Sequence, residues 1–105
     1  MLAAAAVLTG CDSSETRSSE PSHDVALAQA QLRYAVPAAA GFATDNNGYA
    51  GMTIAKLRRY DGGVREIEIV WTKRSSYCAE AAVGTTVYHQ VGPAEPSKPG
   101  PCPSQ

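Results

Sequence analysis

Between residues 24 and 44 the chain repeats small apolar side chains at spacings of three and four, and this stretch limits the folds open to it. Val25, Ala28, Leu32, Ala35, Ala39 and Phe42 would share one face of an α-helix, while Gln29, Gln31 and Arg33 fall off it. An isolated helix of this length is marginal in water, so a stripe this narrow needs a partner surface. Only three strand-like runs after residue 63 can supply it, because there the apolar period changes from helical to two. The expected class is α+β: an N-terminal amphipathic helix packed on a small three-stranded antiparallel β-meander.

Local signals set the boundaries. Ser22 is a plausible N-cap, and Asp24 would place its charge in the first turn, at the positive end of the helix dipole. Pro37 falls within the stripe and should kink the helix near Val36, since the stripe resumes in register at Ala39 and Phe42. Thr44-Asp45-Asn46-Asn47-Gly48 supplies residues that tolerate left-handed angles and should end it. Thr53 can cap a short helix over 54–60 with Ile54, Leu57 and Tyr60 inward and Lys56, Arg58 and Arg59 outward. Residues 64–72 then alternate, with Ile67, Ile69 and Trp71 on one dry face, so Trp71 is expected to pack over the helix. Residues 77–83 alternate again, Tyr77, Ala79, Ala81 and Val83 against Cys78, Glu80 and Ala82. Gly84-Thr85 turns the chain into a third run over 86–91, and the Pro-rich segment 92–105 is expected to find no ladder partner.

The N-terminus reads differently. An apolar run over residues 2–7 leads into Leu8-Thr9-Gly10-Cys11, which resembles a bacterial lipobox. That resemblance implies a signal peptide over 1–10, cleavage before Cys11 and acylation of its thiol. A signal peptide ordinarily carries positive charge ahead of its apolar core, and Met1 passes straight to Leu2, so the true start is expected upstream. The run is shorter than the ~20 residues that span a bilayer. Residues 12–22 contain no large apolar side chain and should form a flexible tether, leaving a head over 23–105. Of three cysteines, two then remain, Cys78 and Cys102, able to pair in an oxidising compartment.

The order of elements also resembles the globular head of a type IV pilin of the small actinobacterial kind. The residues that carry the likeness are Ala43-Thr44-Asp45-Asn46-Asn47-Gly48-Tyr49 followed by Leu57, Tyr77-Cys78, Thr86-Val87-Tyr88-His89, Gly92-Pro93 and Gly100-Pro101-Cys102. The resemblance implies a Cys78–Cys102 bridge that bounds an exposed C-terminal loop over 92–101. A pilin starts with a long apolar helix bearing one glutamate, and here a lipobox and serine-rich tether stand in that place.

Chemistry is sparse. His23 and His89 have no carboxylate or cysteine at ligand spacing, Ser75 and Ser76 lack the glycines of a nucleophile elbow, and no phosphate-binding loop occurs. Asp45 and Asn47 fail the calcium-loop template, because Tyr49 stands where a third oxygen ligand is needed. Glu66, Glu68 and Glu80 can cluster as a solvated sheet face. A net charge of −1 with scattered cations offers no stripe for nucleic acid. The expectation is no enzyme, cofactor or metal. It is a lipoprotein held to the membrane through Cys11 on its extracytoplasmic face, meeting a protein partner of a pilus, secretion system or envelope. Asp45, Asn47, Tyr49, Pro93, Glu95 and Lys98 are the candidate contact residues. The alternative is a truncated type IV pilin, a structural filament subunit.

Overall fold

A computed structural model describes residues 21–105. The lipobox, Cys11 and most of the expected tether lie outside the described residues. In chain order the elements are α1 (Pro21–Asn46), α2 (Ile54–Leu57), β1 (Ile67–Thr72), β2 (Tyr77–Val83), β3 (Thr86–Gly92) and β4 (Lys98–Pro99). The class is the expected α+β, and the long helix on an antiparallel meander is a pilin-like arrangement. The sheet has four strands rather than three, in the order β1-β2-β3-β4.

Helix α1 begins at Pro21, ahead of the expected cap, and runs unbroken through Pro37. Proline removes one helical hydrogen bond, and here the ring is exposed, so the unpaired carbonyl one turn earlier can turn to water. The C-terminus closes as the sequence indicates. Asn47 adopts a left-handed φ of 59°, and the Gly48 N–H donates to the Ala43 carbonyl at 3.0 Å, the longer bond of a Schellman motif. Gly48 itself, at φ 139°, faces the Arg74 carbonyl so closely that a Cβ there would lie 2.6 Å from the oxygen. At the next element the Thr53 hydroxyl accepts from the Lys56 N–H at 3.2 Å, as expected of a cap, but α2 ends after one turn.

The buried face of α1 consists of Ala28, Leu32, Ala35, Ala38, Ala39 and Phe42. It lies over β2 and β3, whereas α2 covers β1. The opposing side chains on β2 are Tyr77, Ala79 and Ala81, all buried, and Met52, Leu57, Val64 and Ile67 complete the core. Alanine facing alanine lets helix and sheet approach closely, with Leu32 and Phe42 as the larger side chains on the helix face.

One expectation about β1 is overturned. Ile67 pairs with Ala81 and Ile69 with Ala79, but Trp71 pairs with Cys78 because a bulge shifts the register between Ile69 and Trp71. An extra residue in a strand reverses which face the next side chain takes. Trp71 therefore lies on the outer face beside Cys78, turned from the helix, and donates its indole N–H to the Pro103 carbonyl at 2.9 Å. The second correction concerns the C-terminal segment, which does find ladder partners: Pro99 opposite Tyr88 and Lys98 opposite His89. Proline is tolerated in β4 because it is an edge strand.

Gly92 is buried directly opposite Tyr77, and a Cβ built on it would clash with the Tyr77 ring edge and hydroxyl. The Tyr77 ring has no room to yield, since Tyr49 packs against it with centroids 5.0 Å apart. Gly92→Ala should therefore cost about 1–3 kcal/mol, read as a lowered midpoint in urea unfolding, as overpacking generally does. Burial, aided by Tyr49 alongside, pushes the Tyr77 phenol up to about 12 from an ordinary 10. The folded state thus holds this proton more tightly than the unfolded chain. Its contribution to stability is complete below pH 10 and is lost as pH rises towards 12. Unfolding midpoints measured across that window should fall with pH, and Tyr77→Phe should flatten the slope.

Candidate interaction surface

The sheet positions three loops at one end, because β1 finishes, β2 starts and β3 finishes there. These are residues 47–51 after α1, residues 73–76 between β1 and β2, and residues 93–97 after β3. Tyr77 joins them. Its ring packs on Tyr49, its backbone pairs with Gly92, and the Tyr49 N–H donates to the Arg74 carbonyl at 3.0 Å. The turn over 73–76 is closed by the Lys73 N–H donating to the Ser76 carbonyl at 2.8 Å, and the Lys73 ammonium sits 5.3 Å from the Trp71 ring centroid. Exposed Lys73 and Arg74 thus join this end.

The six expected contact residues divide among several jobs. Asn47, Tyr49 and Pro93 do come together at this end, yet Asn47 caps the helix and Tyr49 is half-buried against Tyr77. Pro93 is exposed beyond a cis peptide bond from Gly92. Glu95 and Lys98 lie alongside as an exposed pair 3.6 Å apart, with the Glu95 N–H donating to the Val91 carbonyl at 3.2 Å and the Gln90 side-chain amide to the Glu95 carbonyl at 2.8 Å. Asp45 turns the other way, towards the segment after α2, and accepts the Tyr60 hydroxyl proton at 2.6 Å. That hydrogen bond, with some desolvation and the Asp45 charge, raises the Tyr60 phenol above its ordinary value against the opposing pull of Arg59.

The outer sheet face is crossed by the last residues of the chain. Cys78 and Cys102 are bonded at 2.06 Å, which makes the implied bridge real. The Cys102 N–H donates to a Glu80 carboxylate oxygen at 2.7 Å, and His89 Nδ1 donates to the Gly100 carbonyl at 2.9 Å. The Gly100 N–H in turn donates to the Val87 carbonyl at 2.8 Å. Residues 98–103 are therefore a strap fastened at both of its sides. Both Glu80 and His89, which pair across β2 and β3, are engaged by it.

Glu66, Glu68 and Glu80 gather as the sequence suggests, around an open hollow of about 410 Å³ that they line with Ile67 and Ala82. His89 does not reach it. Other hollows on the described surface are also open, including one of about 310 Å³ between Phe42, Asp45, Lys56 and Tyr60. Among the described residues no cluster of three or more His, Cys, Asp or Glu is placed to hold a metal ion. No described helix is long and apolar enough to cross a membrane. No protein-family model, curated protein or solved structure matches the chain.

Closing a loop of 24 residues' separation restricts the unfolded chain by about 3–4 kcal/mol on the chain-entropy estimate. Replacing both cysteines by serine should lower stability by that order. It should also release the strap, seen as fast amide exchange at Gly100 and Cys102 while the amides of β2 that face β1 stay protected.

Proposed function

We propose that this chain is a membrane-anchored extracytoplasmic lipoprotein whose pilin-like head works by contact, as an interaction or adhesion module or as an accessory to a pilus or secretion apparatus. The observation that carries the reading is the Cys78–Cys102 bond. A disulfide of this kind fits an oxidising compartment outside the cytoplasm, as does the lipobox-like tetrapeptide ending at Cys11. The bridge also anchors the strap that follows residues 93–97, holding that loop beside the other two at the end of the sheet. Rigidly placed, exposed loops of this kind cost little ordering entropy when they meet a partner. The membrane partner would be reached through acyl chains on Cys11, two or more being needed for a stable hold.

Two measurements test the parts separately. Intact mass of the mature chain from native membranes should show loss of the residues before Cys11, an acyl increment, and a two-proton gain on reduction. An unacylated Cys11 overturns the anchor. Glu95→Ala with Lys98→Ala should leave the unfolding midpoint nearly unchanged, since exposed pairs contribute at most ~1 kcal/mol. The same double variant should weaken recovery of the envelope partner in pull-downs, and undiminished recovery counts against this loop as the contact surface.

A further inference from the structure

The helix side of the head, away from the strap, carries an amphipathic face that neither the core nor the proposed contact surface uses. Along α1, Leu27, Tyr34 and Pro37 follow heptad-like spacing and are exposed, Leu27 at 41 % and Tyr34 at 55 %. Tyr60, 40 % exposed, extends this ridge because its ring lies against Gly41, one further step along the same stripe. Three of the four large hydrophobic side chains exposed among the described residues thus share one face. The segment after α2 runs beside it, fixed to α1 by Tyr60 on Asp45 at one end and by the Gln31 amide on Glu66, at 3.1 Å, at the other.

Charge on the head follows the same division. Arg33, Arg58, Arg59 and Arg65 border this face with Asp45, Asp61 and Glu66, an excess of one positive charge, whereas the Lys56 ammonium donates to the Gly51 carbonyl of the loop end at 3.2 Å. The rest of the described chain carries Lys56, Lys73, Arg74 and Lys98 against Asp24, Glu68, Glu80 and Glu95, which balance. Among the described residues none of the four bordering arginines has a carboxylate within ion-pair distance. Moreover, the three carboxylates on this side accept hydrogen bonds from neutral donors, Tyr60, the Gly63 N–H and Gln31.

We infer that the face formed by Leu27, Tyr34, Tyr60 and their flanking arginines lies against an anionic phospholipid surface. Tyrosines belong at the level of the headgroups, where the ring is half dry and the hydroxyl wet, and arginines beside them meet the phosphates. The choice of lipid as the occupant rests on the anchor proposed above. Nine residues separate Cys11 from Pro21, a length of chain that spans at most about 30–35 Å even fully extended, and Leu27 stands six positions into the helix. An anchored head is therefore held within reach of the headgroups, and this is its apolar and cationic side. The loops over 73–76 and 93–97 are not part of that face and are then left free.

The test uses the full chain with Cys11→Ser, which removes acylation from the measurement. Sedimentation is measured with vesicles of phosphatidylglycerol and phosphatidylcholine, and with phosphatidylcholine alone. Residues 1–20 carry one arginine against three carboxylates, so they give no preference for the anionic vesicles. The expected result is tighter binding to the anionic vesicles at low salt, lost at high salt. Arg33→Gln, Arg59→Gln and Arg65→Gln together should weaken it by about tenfold or more, at roughly the effect of a basic residue near such a surface. Tyr34→Ser should weaken it further, and Lys73→Gln with Arg74→Gln, at the loop end, should not. These positions are exposed, and matching circular dichroism and unfolding midpoints confirm that the variants fold. Equal binding to both vesicle types, or anionic binding indifferent to the arginines, overturns the inference. So does self-association that Tyr34→Ser abolishes, which would assign the face to a second copy. Failure here with an acylated native Cys11 leaves the anchor standing, and an unacylated Cys11 with vesicle binding intact leaves the face standing.

Discussion

The fold depends on a close contact between alanines. Ala28, Ala35, Ala38 and Ala39 of α1 meet Ala79 and Ala81 of β2, and small residues on both sides bring the two backbones near each other. Such a contact buries little area per residue, so the larger side chains around it must be placed well. Leu32, Phe42, Leu57 and Tyr77 are the larger side chains buried with them. Tyr77 is the most constrained of these, wedged between Tyr49 and the bare backbone of Gly92. A glycine opposite an aromatic ring leaves a slot that the ring covers, and here the same ring ties three loops to one end of the sheet.

The second requirement is to cover the other side of the sheet. A domain of this size has one modest core, and its outer sheet face would otherwise stand bare. The last residues of the chain supply the cover through the Cys78–Cys102 bond, the Trp71 indole, Glu80 and His89. The bulge in β1 belongs to this arrangement. It sends Trp71 to the strap side, where it has a backbone carbonyl to bond, and so gives the strap an aromatic footing. β4 also shields part of the β3 edge, which would otherwise present unpaired backbone groups to other strands.

Function divides over the surface accordingly. Three loops are fixed at one end of the sheet, an amphipathic and cationic face runs along α1 and the segment after α2, and a chain leading back to Cys11 enters at the start of that helix. On the function proposed here, one end would be presented while the other face rests against the membrane. The acidic hollow at Glu66, Glu68 and Glu80 lies away from the loop end, with Glu80 committed to the strap.

Much of this is written locally in the chain. The helical stripe, the Asn47 cap, the Thr53 cap and the alternation over residues 77–83 each depend on near neighbours, and their side-chain chemistry is readable wherever they fold. The pairing of Cys78 with Cys102 was legible too, from the resemblance and from there being two cysteines left once Cys11 is set aside. Of the candidate site, Pro93, Glu95 and Lys98 were legible as exposed positions, whereas Tyr49 was not recognised as packing, because the ring it meets is 28 positions away. What only the tertiary structure decided depends on contacts distant in sequence. The side that Trp71 takes is set by the register with β2, of which the unbroken apolar triplet Ile69-Val70-Trp71 was the sole hint. The fourth strand exists because the disulfide returns a proline-rich tail to the β3 edge, a segment with no strand signal of its own. The ridge of Leu27, Tyr34 and Tyr60 is likewise assembled by folding, since Gly41 beneath the Tyr60 ring joins two elements that no periodicity connects.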